Sequence, residues 1–142
     1  MGIRHCNIVK SSGLLANLSE EALLILINVV NLNKNDKRRV KVEVFDWTSN
    51  KPIEIPLFSF NGPDSIVGNG GPIKIKEGTA AVFFTDFLDD KIILIYEIRV
   101  TFLDSDENVF VTSNGISRIN SANVTGQTVL DTDFRTLDWD KD

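Results

Sequence analysis

Arg39-Val40-Lys41-Val42-Glu43-Val44 decides the fold class, because three valines alternate with three charged residues without a break. Successive side chains of an extended chain point to opposite faces. This period of two therefore places the valines on one face and the charges on the other, as in a half-buried strand. Downstream, Ile53, Ile55 and Leu57 alternate with Glu54 and Pro56. A proline cannot donate to a ladder, so that segment is expected at a sheet edge. Ile73-Lys74-Ile75-Lys76 resumes the alternation, Glu77-Gly78 turns, and Thr79 to Phe84 forms an apolar strand ending at Thr85-Asp86. In the next segment Leu94, Tyr96, Ile98, Val100 and Phe102 share one face while Glu97, Arg99 and Thr101 share the other, which predicts a strand in the middle of a sheet. Asp104-Ser105-Asp106-Glu107-Asn108 turns the chain into a strand from Val109 to Thr112, and a last strand is expected around 128–137.

Upstream of the deciding stretch, Leu23 to Leu32 is apolar on both sides. It is joined to Arg39 through Asn33-Lys34-Asn35-Asp36-Lys37, a run of turn formers suited to a hairpin, so these two strands are expected to pair. Ser19-Glu20-Glu21 would also serve as a helix start, which leaves a helix over 20–30 as the alternative. Ile25, Ile27, Val29 and Val30 favour the strand, since β-branched side chains lose rotamer freedom in a helix and fit a pleated surface. Gly68-Asn69-Gly70-Gly71-Pro72 marks a loop whose glycines permit left-handed backbone angles.

Seven or eight short strands with turns about every ten residues point to an all-β fold, a β-sandwich of the immunoglobulin-like or jelly-roll type. A small barrel is the second choice. The expected organisation is an N-terminal extension over 1–20 followed by a sandwich domain over 21–142. A chain of 142 residues, 42% hydrophobic and 25% charged, suits one ordinary globular domain. Its net charge of −5 argues against nucleic acid as a partner, which calls for clustered Lys and Arg. The apolar run from Ala22 to Val30 is too short to span a bilayer, so no membrane insertion is expected. Asn7, Lys10, Ser11, Ser12 and Asn17 interrupt the region where a secretory leader needs its apolar stretch. The expectation is synthesis in the cytoplasm without a secretory signal, with release to a spore or cell surface only after lysis.

The first twenty residues hold the only His and the only Cys. Cys6 has no intrachain partner, which leaves open an intermolecular disulfide under oxidising conditions. His5 and Cys6 are adjacent, and neighbours on an extended chain diverge, so they make no catalytic dyad. The sequence carries no phosphate-binding loop, dinucleotide fingerprint or zinc spacing. No catalytic residue, metal ligand or cofactor is therefore assigned, and the protein is expected to be non-enzymatic. The acidic runs Asp104 to Asn108 and Asp86, Asp89 and Asp90 offer oxygen ligands of the kind calcium takes, but turn chemistry alone also accounts for them. Trp47 and Trp139 are candidate stacking residues for a carbohydrate; the alternative is that Trp47 closes the core and Trp139 packs the tail.

Val42-Glu43-Val44-Phe45-Asp46-Trp47-Thr48-Ser49-Asn50 with Ile53-Glu54-Ile55-Pro56-Leu57, Tyr96-Glu97-Ile98-Arg99-Val100 and Gly126-Gln127-Thr128-Val129-Leu130 resemble small β-sandwich proteins of spore-forming Firmicutes, among them endospore appendage subunits. The resemblance covers about a third of the chain and implies a structural subunit that polymerises through a flexible, cysteine-bearing N-terminal connector. This chain has a single Cys where that group has several, which puts covalent stapling in doubt. On physical grounds too, an open sandwich leaves unpaired strand edges that an extended segment of a neighbour can satisfy, and head-to-tail repetition of that contact makes a fibre. Ile3, Cys6, Ile8, Leu14, Leu15 and Leu18 are the expected assembly residues, docking on a second copy of the chain or else covering the edge of their own sheet. The expected function is a self-assembling subunit of a filament or surface layer, a homo-oligomer, with a carbohydrate-binding module as the alternative.

Overall fold

Alternation along the chain becomes two stacked antiparallel sheets in the computed structural model, which describes residues 7–17, 24–60, 66–68, 71–86, 93–116 and 123–137. The strands are β1 (Ile8–Ala16), β2 (Leu24–Asn31), β3 (Arg38–Asp46), β4 (Ile53–Ile55), β5 (Phe58–Phe60) and β6 (Ile66–Gly68), then β7 (Ile73–Ile75), β8 (Thr79–Asp86), β9 (Ile95–Phe102), β10 (Val109–Ile116), β11 (Asn123–Val129) and β12 (Arg135–Thr136). The first sheet runs β12-β1-β9-β3-β4, with β7 also on β3; the second runs β11-β10-β2-β8-β5-β6. The all-β sandwich stands, with twelve strands among the described residues where seven or eight were expected.

The core lies between the sheets. Val40, Val42 and Val44 of β3 and Tyr96, Ile98, Val100 and Phe102 of β9 point inward from the first sheet, meeting Ile25, Ile27 and Val29 of β2 and Phe83 of β8 from the second. The two periodic stretches read from the sequence are thus neighbours, paired from Val40 opposite Phe102 to Asp46 opposite Tyr96. β9 is central and β4 is an edge strand, as expected. Burial pushes the Tyr96 phenol well above its ordinary range, so the ring stays protonated in the core.

The expected hairpin between β2 and β3 does not form. β2 pairs with β8 and β10, and β3 with β9, β4 and β7, so the connection at 32–37 crosses from one sheet to the other. Asn31 explains why turn-forming residues suit this crossing. Its buried side chain donates to the carbonyls of Asp36 (2.8 Å) and Ile75 (3.1 Å) and accepts from the Asn33 backbone N–H (3.0 Å) and side-chain amide (2.8 Å). The Asn33 amide also donates to the Glu107 carbonyl at 2.8 Å, tying in the loop that leads to β10. Turn chemistry serves a crossover as well as a hairpin, since both must satisfy backbone groups that have left a ladder. Residues 24–31 are a strand and not a helix, while residues 20–23 lie outside the described residues. The single strand expected around 128–137 resolves into the end of β11, a 3-10 turn over Asp131–Asp133 and β12.

Two glycines bear structural weight. Gly71 has φ +108°, and a Cβ there would lie 2.7 Å from the Ile73 nitrogen and 2.8 Å from the Val40 oxygen, so only glycine lets β7 reach β3. Gly13 has φ +73° at a bulge in β1, where Ser12 and Gly13 together face Ile98. The bulge turns Leu15 inward opposite Tyr96, so that both Ile8 and Leu15 pack on the core.

Replacing Asn31 by Ala removes the partner of the buried Ile75 carbonyl, of the Asp36 carbonyl and of the Asn33 backbone N–H, and one of the two bonds of the Asn33 side-chain amide. It is expected to lower stability by about 2–4 kcal/mol, whereas Leu32→Ala, at an exposed position next to it, stays within about 0.5 kcal/mol. Urea unfolding of the two variants measures the difference.

Candidate functional site

The outward faces of the two sheets differ in kind. On the first sheet, β3 presents Arg39, Lys41 and Glu43 beside Arg99 and Thr101 of β9, a polar and charged surface. At its centre sits Glu97, only 5% exposed although it points away from the core. Leu14 of β1 and Phe45 of β3 flank it in register. Three donors converge on its carboxylate: Trp47 Nε1–H on Oε1 at 2.9 Å, Arg99 Nε–H on Oε2 at 2.9 Å, and the Ser11 hydroxyl on Oε2 at 2.5 Å. The Arg99 guanidinium lies over the Phe45 ring, 4.6 Å from its centroid.

The Ser11-Ser12-Gly13 bulge supplies one of these donors and satisfies itself. Ser11 Oγ accepts the Gly13 N–H at 2.9 Å, and Ser12 Oγ accepts the Ile98 N–H at 2.9 Å, a donor that the bulge has taken out of the ladder. Burial by itself pushes the Glu97 carboxyl up. The hydrogen bonds from Arg99, Ser11 and Trp47, together with the Arg99 charge, outweigh that and hold it below the usual glutamate value. A carboxylate that is ionised and already engaged by three donors is a weak base with no proton to give, so this cluster braces β1, β3 and β9. A shallow cleft of about 360 Å³ lies next to it, lined by Ser11, Ser12, Gly13, Asp133, Arg135 and Leu137.

The second sheet turns an apolar face outward. Ile25, Ile27 and Val29 of β2 face the core, so Leu24, Leu26, Asn28 and Val30 face out. Residues paired in register share that face: Leu26 stands between Asn114 of β10 and Phe84 of β8, Asn28 between Thr112 and Val82, and Val30 between Phe110 and Ala80. Phe84 in turn opposes Phe58 of β5, their rings stacked with centroids 5.4 Å apart. Phe58 and Phe110 are 44% and 43% exposed, and no described strand lies over the face.

The residues singled out in the sequence are dispersed. Ile3, Cys6, Leu18 and Trp139 lie outside the described residues, as do His5, Asp89 and Asp90. Ile8, Leu14 and Leu15, expected in an N-terminal extension, belong to β1, which pairs with β9 and β12 of its own chain. Ile8 and Leu15 pack on the core of that chain, and Leu14 points outward, 62% exposed. Trp47 is half-buried and stands outside the core cluster, with its indole N–H bound to Glu97. In the acidic loop, Asp104 pairs with Arg39 at 2.8 Å, which holds its carboxyl below the usual range, Asp106 pairs with Lys10 at 3.0 Å, and Ser105 Oγ accepts the Glu107 N–H. Among the described residues no group of three or more His, Cys, Asp or Glu is placed to hold a metal ion.

The outward residues of the second sheet were not singled out, though their signal is present. Leu23 to Leu32 and Thr79 to Phe84 are apolar on both sides, a pattern that belongs to strands covered on both faces. No family model, curated protein or solved structure matches the chain.

The lowered Glu97 pKa carries a sign for stability. A group whose folded-state pKa lies below its unfolded value contributes fully at pH above the ordinary glutamate range and loses that contribution as pH falls through the folded value. Glu97→Gln is expected to cost about 2–4 kcal/mol at pH 7, with the gap to the native chain narrowing on acidification. Chemical unfolding followed by Trp fluorescence at several pH values checks both; an equal gap at every pH would sink the assignment.

Proposed function

We propose that the chain is a non-enzymatic structural subunit that self-associates into an assembly. The observation that carries this reading is the outward face of the second sheet, where Leu24, Leu26, Val30, Val82, Phe84, Phe58 and Phe110 meet water on four neighbouring strands. Contiguous apolar patches of several hundred Å² are rare on isolated chains and mark contact surfaces. The polar cluster at Glu97 supports the same reading from the other side of the molecule, because its groups are spent on one another and fasten β1 to the sheet.

The N-terminal part enters as a second contact. Ile8 and Leu15 are committed to their own core, so Ile3, Cys6 and Leu18, together with the exposed Leu14, are the residues of the extension left to join subunits. A filament or surface layer needs two distinct contacts per subunit, and a face plus a terminal segment supplies them. An appendage of the endospore type, which the resemblance of the 42–57 and 96–100 segments implies, is one form such an assembly takes.

Light scattering and negative-stain microscopy of the purified chain, with and without reductant, test this. Multimers are expected, and Leu26→Asp combined with Phe84→Asp should reduce them to smaller species with an unchanged far-UV circular dichroism spectrum. A monomer at all concentrations in both conditions would overturn the proposal. Sensitivity to reductant would place Cys6 in the contact.

A further inference from the structure

We infer that the outward face of the first sheet carries a shallow site for a neutral oligosaccharide, running from Trp47 over Leu14 to Asp133 and Arg135. The inference stands apart from the self-association proposed above, which uses the other sheet.

Register puts these residues on one face. Phe45 of β3, Glu97 of β9 and Leu14 of β1 lie in one outward row, and Arg99, Ser11 and Arg135 of β9, β1 and β12 lie in the next. Trp47, two residues beyond Phe45, binds one oxygen of Glu97 while Ser11 binds the other, which keeps the indole nitrogen and the Ser11 hydroxyl within about 8 Å of each other. Ser11 is also a wall of the cleft that Ser12, Gly13, Asp133, Arg135 and Leu137 complete. Its volume of about 360 Å³ falls at the lower end of the roughly 300–1,000 Å³ typical of small-molecule sites. The bulge leaves its floor open, since a Cβ at Gly13 would meet nothing within 4 Å. From β3 to β12 there are three strand spacings, about 14 Å, longer than one sugar ring.

The free groups select the ligand class. The Ser11 and Ser12 hydroxyls are spent on Glu97 and on backbone groups of Gly13 and Ile98. What remains is Arg135, which has no ion pair or hydrogen bond among the described residues, and Asp133, whose Oδ2 accepts the Leu130 N–H at 2.9 Å and whose Oδ1 has no such partner there. The two line one cleft without pairing to each other. Arg135 only donates and ionised Asp133 only accepts, and a pair of adjacent sugar hydroxyls answers both. An anion in the cleft would face Asp133, and a cation would face Arg135. At the other end Leu14 is 62% exposed and the Trp47 ring is half-buried, apolar surfaces against which the C–H face of a sugar ring packs. The strip crosses the strands, so a peptide laid along it finds no strand edge to pair with.

The test uses the full-length chain carrying Trp139→Phe, which leaves Trp47 as its one tryptophan. Maltotetraose, cellotetraose and chitotetraose are each titrated to about 20 mM, with binding followed by Trp47 fluorescence and by calorimetry. At least one is expected to bind with millimolar affinity and to change the fluorescence. Arg135→Ala and Asp133→Asn, both at exposed positions, are each expected to weaken that binding about fivefold or more with an unchanged far-UV circular dichroism spectrum. Binding that is equally tight in both variants would place the sugar elsewhere and overturn the assignment. Inorganic phosphate binding more tightly than every sugar, and lost in Arg135→Ala, would make this an anion site and overturn the ligand class. A flat response to all three sugars would overturn the site itself.

Discussion

The inter-sheet core constrains everything else in this molecule. Each sheet can bury only every second residue of a strand, so β3 and β9 must keep Val40, Val42, Val44, Tyr96, Ile98, Val100 and Phe102 in phase while their register holds. A slip of one residue would put Glu43, Glu97 and Arg99 into the core. β2 and β8 answer from the opposite sheet with Ile25, Ile27, Val29 and Phe83. Because consecutive strands alternate between the sheets at 32–37 and again at 103–108, the crossings must be held as firmly as the strands. Asn31 and Asn33 do so at the first, and the Arg39–Asp104 and Lys10–Asp106 pairs flank the second.

From that constraint follows the treatment of β1. A strand with strict alternation would direct Leu14 inward and Leu15 to solvent. The bulge at Ser12 and Gly13 reverses this, and the two serine hydroxyls accept the N–H groups that the bulge displaces. Ser11 then has its own proton to give to Glu97, which is how a carboxylate comes to be buried on the outside of a sheet. Glu97 ties the N-terminal strand through Ser11, the strand's own Arg99, and the end of β3 through Trp47. A charged group buried with three donors is costly to disturb, so the polar cluster fixes the position of β1 as the apolar core alone would not.

The two outward faces then divide the labour of the molecule. The first sheet follows the rule for an antiparallel sheet with one wet face: charges out, aliphatics in. The second sheet breaks it. Its central strands carry aliphatic and aromatic side chains on both sides, as in sheets that are covered on both faces, and the described strands cover only one. A sheet with this composition fits the contact surface proposed above.

Local alternation was enough to place β3, β8 and β9, the edge position of β4 and the all-β class, because the period of side-chain direction is written in neighbouring residues and needs no knowledge of what they meet. The same local rule carries no information about which strand lies alongside. Asn33 to Lys37 therefore read as a hairpin although the chain crosses between sheets there, for the chemistry that satisfies a turn is the chemistry that satisfies a crossing. β1 stayed hidden because Ser11-Ser12-Gly13 interrupts its alternation, and only the displaced Ile98 N–H across the ladder shows the interruption to be a bulge. Nor does periodicity reveal that Glu97, one of the polar alternates of β9, is buried: its donors Ser11 and Trp47 lie 86 and 50 residues away and meet it only through the packing of three strands. The apolar outer face was present in the composition of β2 and β8, but a run that is apolar on both sides says that two surfaces need cover. Which of them the chain covers for itself depends on where its other sheet ends up.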